Sequence, residues 1–180
     1  MHVALHQVHV LALASVFFIA FLCLIFWPRK PQVCWHVPEG TKDFLVPRKG
    51  TPGAMAWDLV SPTDVCLEPS SESCISKTLI NTLVATTLPK GYALMLGSRS
   101  SMAGKHCITV EAGWVDNDYR GLIRIVLYNH SNKSYYIKAG ERIAQAMLVP
   151  VVNVTEQTQW SYPDTQKTKR GAGGFGSTGK

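Results

Sequence analysis

The sequence contains no C-x-x-C pair, and its five cysteines are an odd number. Both features argue against a zinc site and a disulfide framework, and they predict reduced thiols. The sequence also has no long cluster of Lys and Arg, although 18 Lys+Arg against 12 Asp+Glu give a formal net charge of +6. Without such a cluster we expect a phosphate-bearing ligand or an acidic membrane surface as partner, and no direct contact with nucleic acid.

Residues 43–154 lack any long stretch with the 3.6-residue period of a helix. They consist of short apolar runs between turns, such as KTLINTLVATTL, LIRIVLYN, SYYIK and RIAQAMLVPVV, in which β-branched and aromatic residues are frequent. Many short strands with regular turns predict an all-β sandwich, jelly roll or barrel. RIAQAM is built of good helix formers, but its β-rich neighbours favour a strand.

The N-terminal run VHVLALASVFFIAFLCLIFW, residues 8–27, has no charged residue. About 20 apolar residues span the core of a bilayer, and this run lacks the basic start of a cleaved signal peptide. Arg29 and Lys30 follow directly, so the positive-inside rule predicts a transmembrane signal anchor in residues 1–27 with the body facing the cytosol. The alternative is a buried core helix, or an extension that the working protein does not use, which would leave the body in the cytoplasm or nucleus.

The remaining chain divides by composition into three parts. Residues 28–42 contain three prolines and predict a linker, residues 43–154 form the β domain, and residues 155–180 are a polar, Gly-rich arm predicted to be mobile. Sequons occur at Asn129, Asn132 and Asn153. They would matter only for a luminal body, and for a cytosolic one they are chance matches.

The C-terminal stretch RGAGGFGSTGK fits both G-x-G-x-x-G and G-x-x-x-x-G-K. Each pattern needs a hydrophobic strand directly upstream, whereas the preceding QWSYPDTQKTKR is polar and irregular. We therefore interpret residues 170–180 as neither a Rossmann nor a Walker A loop. Such a flexible, basic tail could close over a phosphate-bearing ligand bound elsewhere, and the alternative is a disordered terminus.

Four polar segments stand out in the β domain: AMAWDL (54–59), GSRSSMAGKH (97–106), AGWVDNDYRG (112–121) and AGERIAQ (139–145). Each alone fits an ordinary turn or surface. In this order, and together with RGAGGFGSTG, they closely resemble the five motifs of the dUTPase family over residues 43–180. The resemblance implies a jelly-roll-like, β-clip-type subunit and a homotrimer with three active sites between subunits. It also implies Mg²⁺-assisted hydrolysis of dUTP to dUMP and pyrophosphate, which supplies dUMP and keeps uracil out of DNA.

The resemblance implies a role for each motif. Asp116 matches the aspartate that deprotonates the attacking water, and Tyr119 matches the tyrosine that packs on deoxyribose and excludes a 2′-hydroxyl. Asp58 matches the carboxylate that reaches Mg²⁺ through water. The other implied contacts are to the phosphates from Arg99, Ser100, Gln145, Arg170, Ser177 and Thr178, to uracil by stacking of Phe175, and to uracil by backbone groups of Val110 and Gly113 in a hairpin at residues 107–114.

Five positions depart from the family pattern: Ala56, Trp57, Ser98, Ser101 and Trp114. Ser101 stands where the family has Gly, so turnover would be slower if that position needs a positive φ. No position that handles charge or the nucleophile is lost, which favours an enzyme over two alternatives. One is a dUTPase-fold protein that binds nucleotide or partners without turnover, a path that viral relatives have taken. The other is a dCTP deaminase, whose glutamate base has no counterpart here.

Overall fold

The structure, a computed structural model, describes residues 30–152, 154–156 and 169. This part of the chain is built mostly of strands, which confirms the all-β prediction. In chain order the strands are β1 (Cys34–His36), β2 (Ala56–Val60), β3 (Val65–Leu67), β4 (Ser76–Asn81), β5 (Ala85–Thr87), β6 (Tyr92–Gly97), β7 (Ile108–Glu111), β8 (Trp114–Val115), β9 (Arg124–Asn129), β10 (Tyr135–Ile137) and β11 (Arg142–Pro150). A 3₁₀ turn covers Asp43–Leu45, and helix α1 covers Ser100–His106.

The strands pair antiparallel in two larger sheets and two small ones. The larger sheets have the orders β2-β11-β6-β8 and β4-β9-β7, and the small ones are β1-β5 and β10-β3. β11 is therefore hydrogen-bonded along both edges, to β2 and to β6. RIAQAM lies in this central strand, as predicted, because its apolar members Ile143, Ala144 and Ala146 are fully buried there.

One cluster of buried side chains joins the sheets. Leu59 and Ile143 come from the four-stranded sheet, and Ile80 and Leu127 come from the three-stranded sheet. Along β9 buried residues alternate with more exposed ones, which is the period of a strand with one face on the core. Full burial of each large aliphatic side chain contributes about 1.5–3 kcal/mol.

Part of the stretch predicted to be a linker is ordered as strand β1. Its residues pair with β5, and the His36 ring nitrogen Nε2 lies 2.8 Å from the Thr87 hydroxyl. Trp35 packs against the core and meets Trp57 edge-on at 5.7 Å between ring centroids. The prolines that predicted a linker flank this strand. The segment between them is long enough for β1 to pair with β5 and for Trp35 to pack on the core.

The segment that contains Arg99 and Ser100 forms helix α1 after Arg99 rather than an open loop. Ser101 lies inside this helix and is not among the described residues with positive φ. The backbone at this position therefore does not need glycine, and the slower turnover expected from Ser101 has no basis in its conformation. Met102 is buried against the core, and Cys107 ends the helix with φ 55 and an N–H bond to the Met102 carbonyl.

A buried amide stabilises the loop between β9 and β10. Asn129 Nδ2 donates to the carbonyls of Glu68 at 2.9 Å and Lys133 at 2.8 Å, and Oδ1 accepts from Ser131. Its side chain is thus fully engaged in the folded protein. Since glycosylation needs an accessible amide, the Asn129 sequon is a chance match, whereas Asn132 is exposed.

Two predicted segments lie outside the described residues: the apolar run 8–27 and the C-terminal residues 170–180. Within the described range, none of the helices has the length and apolar content that crossing a membrane requires.

Candidate active site

The pairing of β11 brings three distant motifs side by side. Gln145 pairs with Asp58 on β2 and with Gly97 on β6. The register of β11 against β2 shifts between Arg142 and Ala144. Such a bulge changes which face the following side chains occupy, and it places both Arg142 and Gln145 next to Asp58.

Asp58 binds two guanidinium groups. Its Oδ1 accepts from Arg99 Nε at 3.0 Å and its Oδ2 accepts from Arg142 Nη1 at 3.3 Å. The side chains of Asp58 and Arg99 are only 20% and 22% exposed, so this pair is screened by solvent less than a surface pair. One carboxylate between two arginines leaves one positive charge in excess, which favours an anionic ligand.

Hydrogen bonds to backbone carbonyls also hold the side chains of Arg99 and Gln145 beside Asp58. Arg99 Nη1 donates to the Arg142 carbonyl at 3.1 Å, and Gln145 Nε2 donates to the Ser98 carbonyl at 3.0 Å. Ser100 follows Arg99 as the first residue of α1. Arg99 and Gln145 are thus held in position before any ligand binds.

Two carboxylates fix the turn that precedes β11. Asp64 accepts from the Ala139 N–H at 2.8 Å, and this bond, with the nearby Lys138, holds the pKa of Asp64 below its usual range. Glu141 accepts from Tyr135 Oη at 2.7 Å. Burial and this bond raise the pKa of Tyr135 to about 12, so the phenol stays protonated and keeps donating at neutral pH.

Asp116 and Tyr119 share a separate cavity of about 340 Å³. Apart from these two, its walls are mostly apolar, and they comprise Leu79, Leu96, Ala112, Trp114, Val115, Ile123, Arg124 and Val126. Tyr119 Oη donates to the Leu122 carbonyl at 3.0 Å. A Cβ on Gly121 would lie 2.7 Å from Tyr119 Cζ, so glycine is required for the ring to take this position.

Two residues that the motifs did not single out position the Asp116 loop. Asn117 Nδ2 donates to the carbonyls of Pro89 at 2.8 Å and Tyr92 at 3.0 Å, which ties the loop to the turn before β6. Arg120 Nη1 donates to the carbonyls of Asn117 at 2.7 Å and Tyr119 at 3.0 Å. An Asn within a polar turn is the only sequence signal for this, and it does not reveal the partners.

The predicted hairpin at residues 107–114 is not a pair of bonded strands. β7 pairs with β9, whereas β8 pairs with β6 in the other sheet. The Val110 N–H donates to Ser98 Oγ at 2.8 Å, and the Gly113 carbonyl accepts from Leu96 N at 2.6 Å. These bonds use the N–H of Val110 and the carbonyl of Gly113. Ser98, at a position where the family has Pro, therefore holds strand β7 in place through Val110.

The structure thus brings the predicted residues together in two groups. Asp58, Arg99, Ser100 and Gln145 lie where β2 and β11 meet the C-terminal end of β6, and none of them lines the cavity of Asp116 and Tyr119. Arg170, Phe175, Ser177 and Thr178 lie outside the described residues.

A metal ion would have one acidic contact in the first group. Within the described part of the chain no three His, Cys, Asp or Glu residues come together as a metal site. Asp58 alone fits a Mg²⁺ ion that is held mainly by water and substrate phosphates, which is how this ion usually binds.

Comparison with known proteins decides the family, because the dUTPase family model matches residues 42–179. The chain belongs to the dUTPase family. This confirms the family and the enzyme class that the five motifs predicted. The chain is similar to the deoxyuridine 5′-triphosphate nucleotidohydrolase of Nautilia profundicola, with 43% identity over 141 residues, 77% of this chain and 94% of that one. The protein of the same name from Candida albicans is 40% identical over 135 residues, 75% of this chain and 81% of its own.

Solved structures show the same fold. The dUTPase of Staphylococcus bacteriophage 80alpha with dUpNHpp has a TM-score of 0.69 and 26% identity, and covers 83% of this chain and 99% of its own. The dUTPase of phage phi11 of S. aureus, whose structure describes the coordination of a structural Mg(II) ion, has a TM-score of 0.60 and 23% identity, covering 74% of this chain and 99% of its own. At that identity the second comparison supports the fold alone.

The contact between Gly113 and β6 can be tested by adding one methyl group. A Cβ at Gly113 would lie 2.6 Å from the Leu96 carbonyl oxygen, so Gly113→Ala must separate β8 from β6. We expect the free energy of unfolding to fall by about 1–3 kcal/mol, measured by urea denaturation at fixed protein concentration. Gly104→Ala is the control, because a Cβ there meets nothing within 4 Å and the site is helical. Equal stability of the two variants would contradict the contact.

Proposed function

We propose that this dUTPase-family protein hydrolyses dUTP to dUMP and pyrophosphate by attack of water on the α-phosphate, in sites shared between the subunits of a homotrimer. The proposal rests on one observation above all: a cavity of about 340 Å³ holds Asp116 beside Tyr119. This volume lies in the range of small-molecule sites. The reaction needs a group that activates water, donors that hold the phosphates, and walls that hold the nucleoside.

Asp116 is the proposed general base. Its side chain is exposed, and within the described residues it forms no salt bridge. It is therefore free to accept a hydrogen bond from water and to take the proton as the water oxygen bonds to phosphorus. The bonds of Asn117 and Arg120 support this role because they keep the loop in one conformation.

Arg99, Ser100 and Gln145 are the proposed phosphate contacts. Negative charge develops on the departing pyrophosphate, and donors that are already oriented stabilise it without a reorganisation cost. The bonds from Arg99 to Asp58 and to the Arg142 carbonyl supply that orientation. Mg²⁺, when bound to the phosphates with Asp58 on one of its waters, would neutralise part of their charge.

Tyr119 is the proposed sugar-selecting residue. Its hydroxyl is fixed by the Leu122 carbonyl, and Gly121 leaves room for its ring. A ring that cannot move away leaves no space for a 2′-hydroxyl, so the sugar is selected by steric exclusion.

A homotrimer would unite the two groups of residues. Within one described chain the phosphate-binding group and the Asp116 cavity are separate, and several large apolar side chains are exposed, among them Met55, Ile75, Leu79, Leu122, Val152 and Val154. Exposed apolar surface of this kind favours contacts between subunits. We propose that residues 170–180 of one subunit close a site formed by others, with Phe175 stacked on uracil and with Arg170, Ser177 and Thr178 on the phosphates.

The role of Asp116 predicts a loss of rate without a loss of binding. Asp116→Asn keeps the size of the side chain but removes the base, so we expect kcat for dUTP to fall about 10²–10⁴-fold while dUpNHpp binds within about threefold of wild type. Pyrophosphate release and calorimetry measure the two quantities. Asp118→Asn is the control, since Asp118 has the same charge, lies in the same loop and does not line the cavity. Unchanged kcat in Asp116→Asn would refute the assignment.

The arm can be tested by removing residues 170–180. We expect most dUTP turnover to be lost while the trimer persists in light scattering, because the β domain and not the arm holds the subunits together. Phe175→Ala isolates the stacking contact and should weaken nucleotide binding by about 1–3 kcal/mol. A truncated protein that dissociates into monomers would contradict the arm's role as a lid.

We also propose that residues 8–27 anchor the protein to a membrane with the dUTPase domain in the cytosol. Flotation with phospholipid vesicles should recover the full chain, whereas a chain that begins at Lys30 should stay in the soluble fraction with its dUTP turnover intact. Equal partition of the two chains would remove the anchor from the proposal and place the protein in the cytoplasm or nucleus.

A further inference from the structure

The cavity beside Asp116 contains a second charged side chain, Arg124, to which none of the five motifs gives a role. Arg124 is exposed and is the first residue of β9. Ile125 and Leu127 of this strand point into the core, so Arg124 and Val126 point to the opposite face, where both line the cavity. Leu79, paired with Val126 across the sheet, completes an apolar floor next to the guanidinium.

Arg124 lies at the end of the cavity where the base is expected. The β7–β9 ladder ends at the pair Glu111↔Val126. Gly113 follows Glu111 by two residues, and Arg124 precedes Val126 by two residues, so both come just beyond the end of this ladder. The chain leaves β7 through Ala112, which has φ 53 and lines the same cavity, as does Trp114. Under the proposed function, Gly113 contacts uracil and Asp116 handles water at the α-phosphate. Arg124 would therefore lie on the side of the cavity where Ala112 and Trp114 flank the segment expected to contact the pyrimidine.

We propose that Arg124 is a specificity-determining residue whose guanidinium donates a hydrogen bond to a carbonyl oxygen of the uracil ring. Of the described residues that line the cavity, Arg124 and Asp116 are the only charged ones. Within the described residues Arg124 forms no salt bridge, so no carboxylate there competes for its donors. Beside apolar walls a hydrogen bond from a charged donor is stronger than in open water.

A contact with the base differs in two measurable ways from a contact with phosphate. A carbonyl oxygen needs a donor and not a full charge, so a Gln amide can partly replace the guanidinium. The loss on removing the side chain is also independent of how many phosphates the ligand carries. A phosphate contact would need the charge and would matter more for a triphosphate than for a monophosphate.

The test compares Arg124→Ala, Arg124→Gln and Lys77→Ala in the full chain. Lys77 is exposed on β4 of the same sheet and does not line the cavity, so its replacement removes the same charge without touching the site. Calorimetry with dUMP and with dUpNHpp gives the dissociation constants. We expect Arg124→Ala to weaken both ligands by the same factor, about tenfold, Arg124→Gln by about threefold, and Lys77→Ala by less than twofold.

The inference is overturned if Arg124→Ala binds like Lys77→Ala, if Gln restores nothing, or if dUpNHpp loses much more affinity than dUMP. It rests on the proposed function, and turnover of dUTP by the wild-type protein separates the two failures. Wild-type turnover combined with any of these three results removes Arg124 from the base site and leaves the proposed function intact. Absence of wild-type turnover and of dUMP binding removes both.

Discussion

The position of β11 between β2 and β6 is the constraint on which the rest of the site depends. Its hydrogen bonds set Gln145 level with Asp58 on one side and Gly97 on the other. The same strand buries Ile143 and Ala144 in the core. These two buried residues are consecutive because the register of β11 shifts between Arg142 and Ala144, and at this bulge Arg142 reaches Asp58. Core packing and the orientation of the group formed by Asp58, Arg99 and Gln145 are thus consequences of one pairing.

Much of the fold could be predicted from the sequence because its strands are short, are rich in β-branched residues and are separated by turns. RIAQAM shows that the surroundings of a segment can outweigh its own helix propensity. Two elements were not predictable in this way. Strand β1 has only three residues and helix α1 has seven. Neither is long enough to show the periodic pattern of apolar residues that predicts a strand or a helix. Both depend on tertiary contacts, of Trp35 and of Met102, that no local pattern contains.

The site was predictable in its residue types but not in its connections. The ordered motifs predict Asp58, Arg99 and Asp116 as site residues, yet the bonds of Asp58 to two arginines arise from strand register and a bulge. Asn117 acts through carbonyls of a turn distant in sequence, which a spacing argument cannot find. The family resemblance alone predicts the hairpin, whereas its separation into two sheets accompanies the close approach of Gly113 to Leu96.

That approach has a consequence for how this chain can vary. Leu96 is bonded to Gly113 beside the cavity of Asp116 and Tyr119, and Arg99 comes three residues later in the same direction. Strand β6 ends at Gly97 and Arg99 precedes helix α1 in an extended conformation, so the three residues from Leu96 to Arg99 span at most about 10 Å. Side chains on this short piece can change, as Ser98 illustrates, but its length cannot. Insertions and deletions, which surface loops accept easily, would here change the distance between the cavity that Leu96 lines and the Arg99–Asp58 pair.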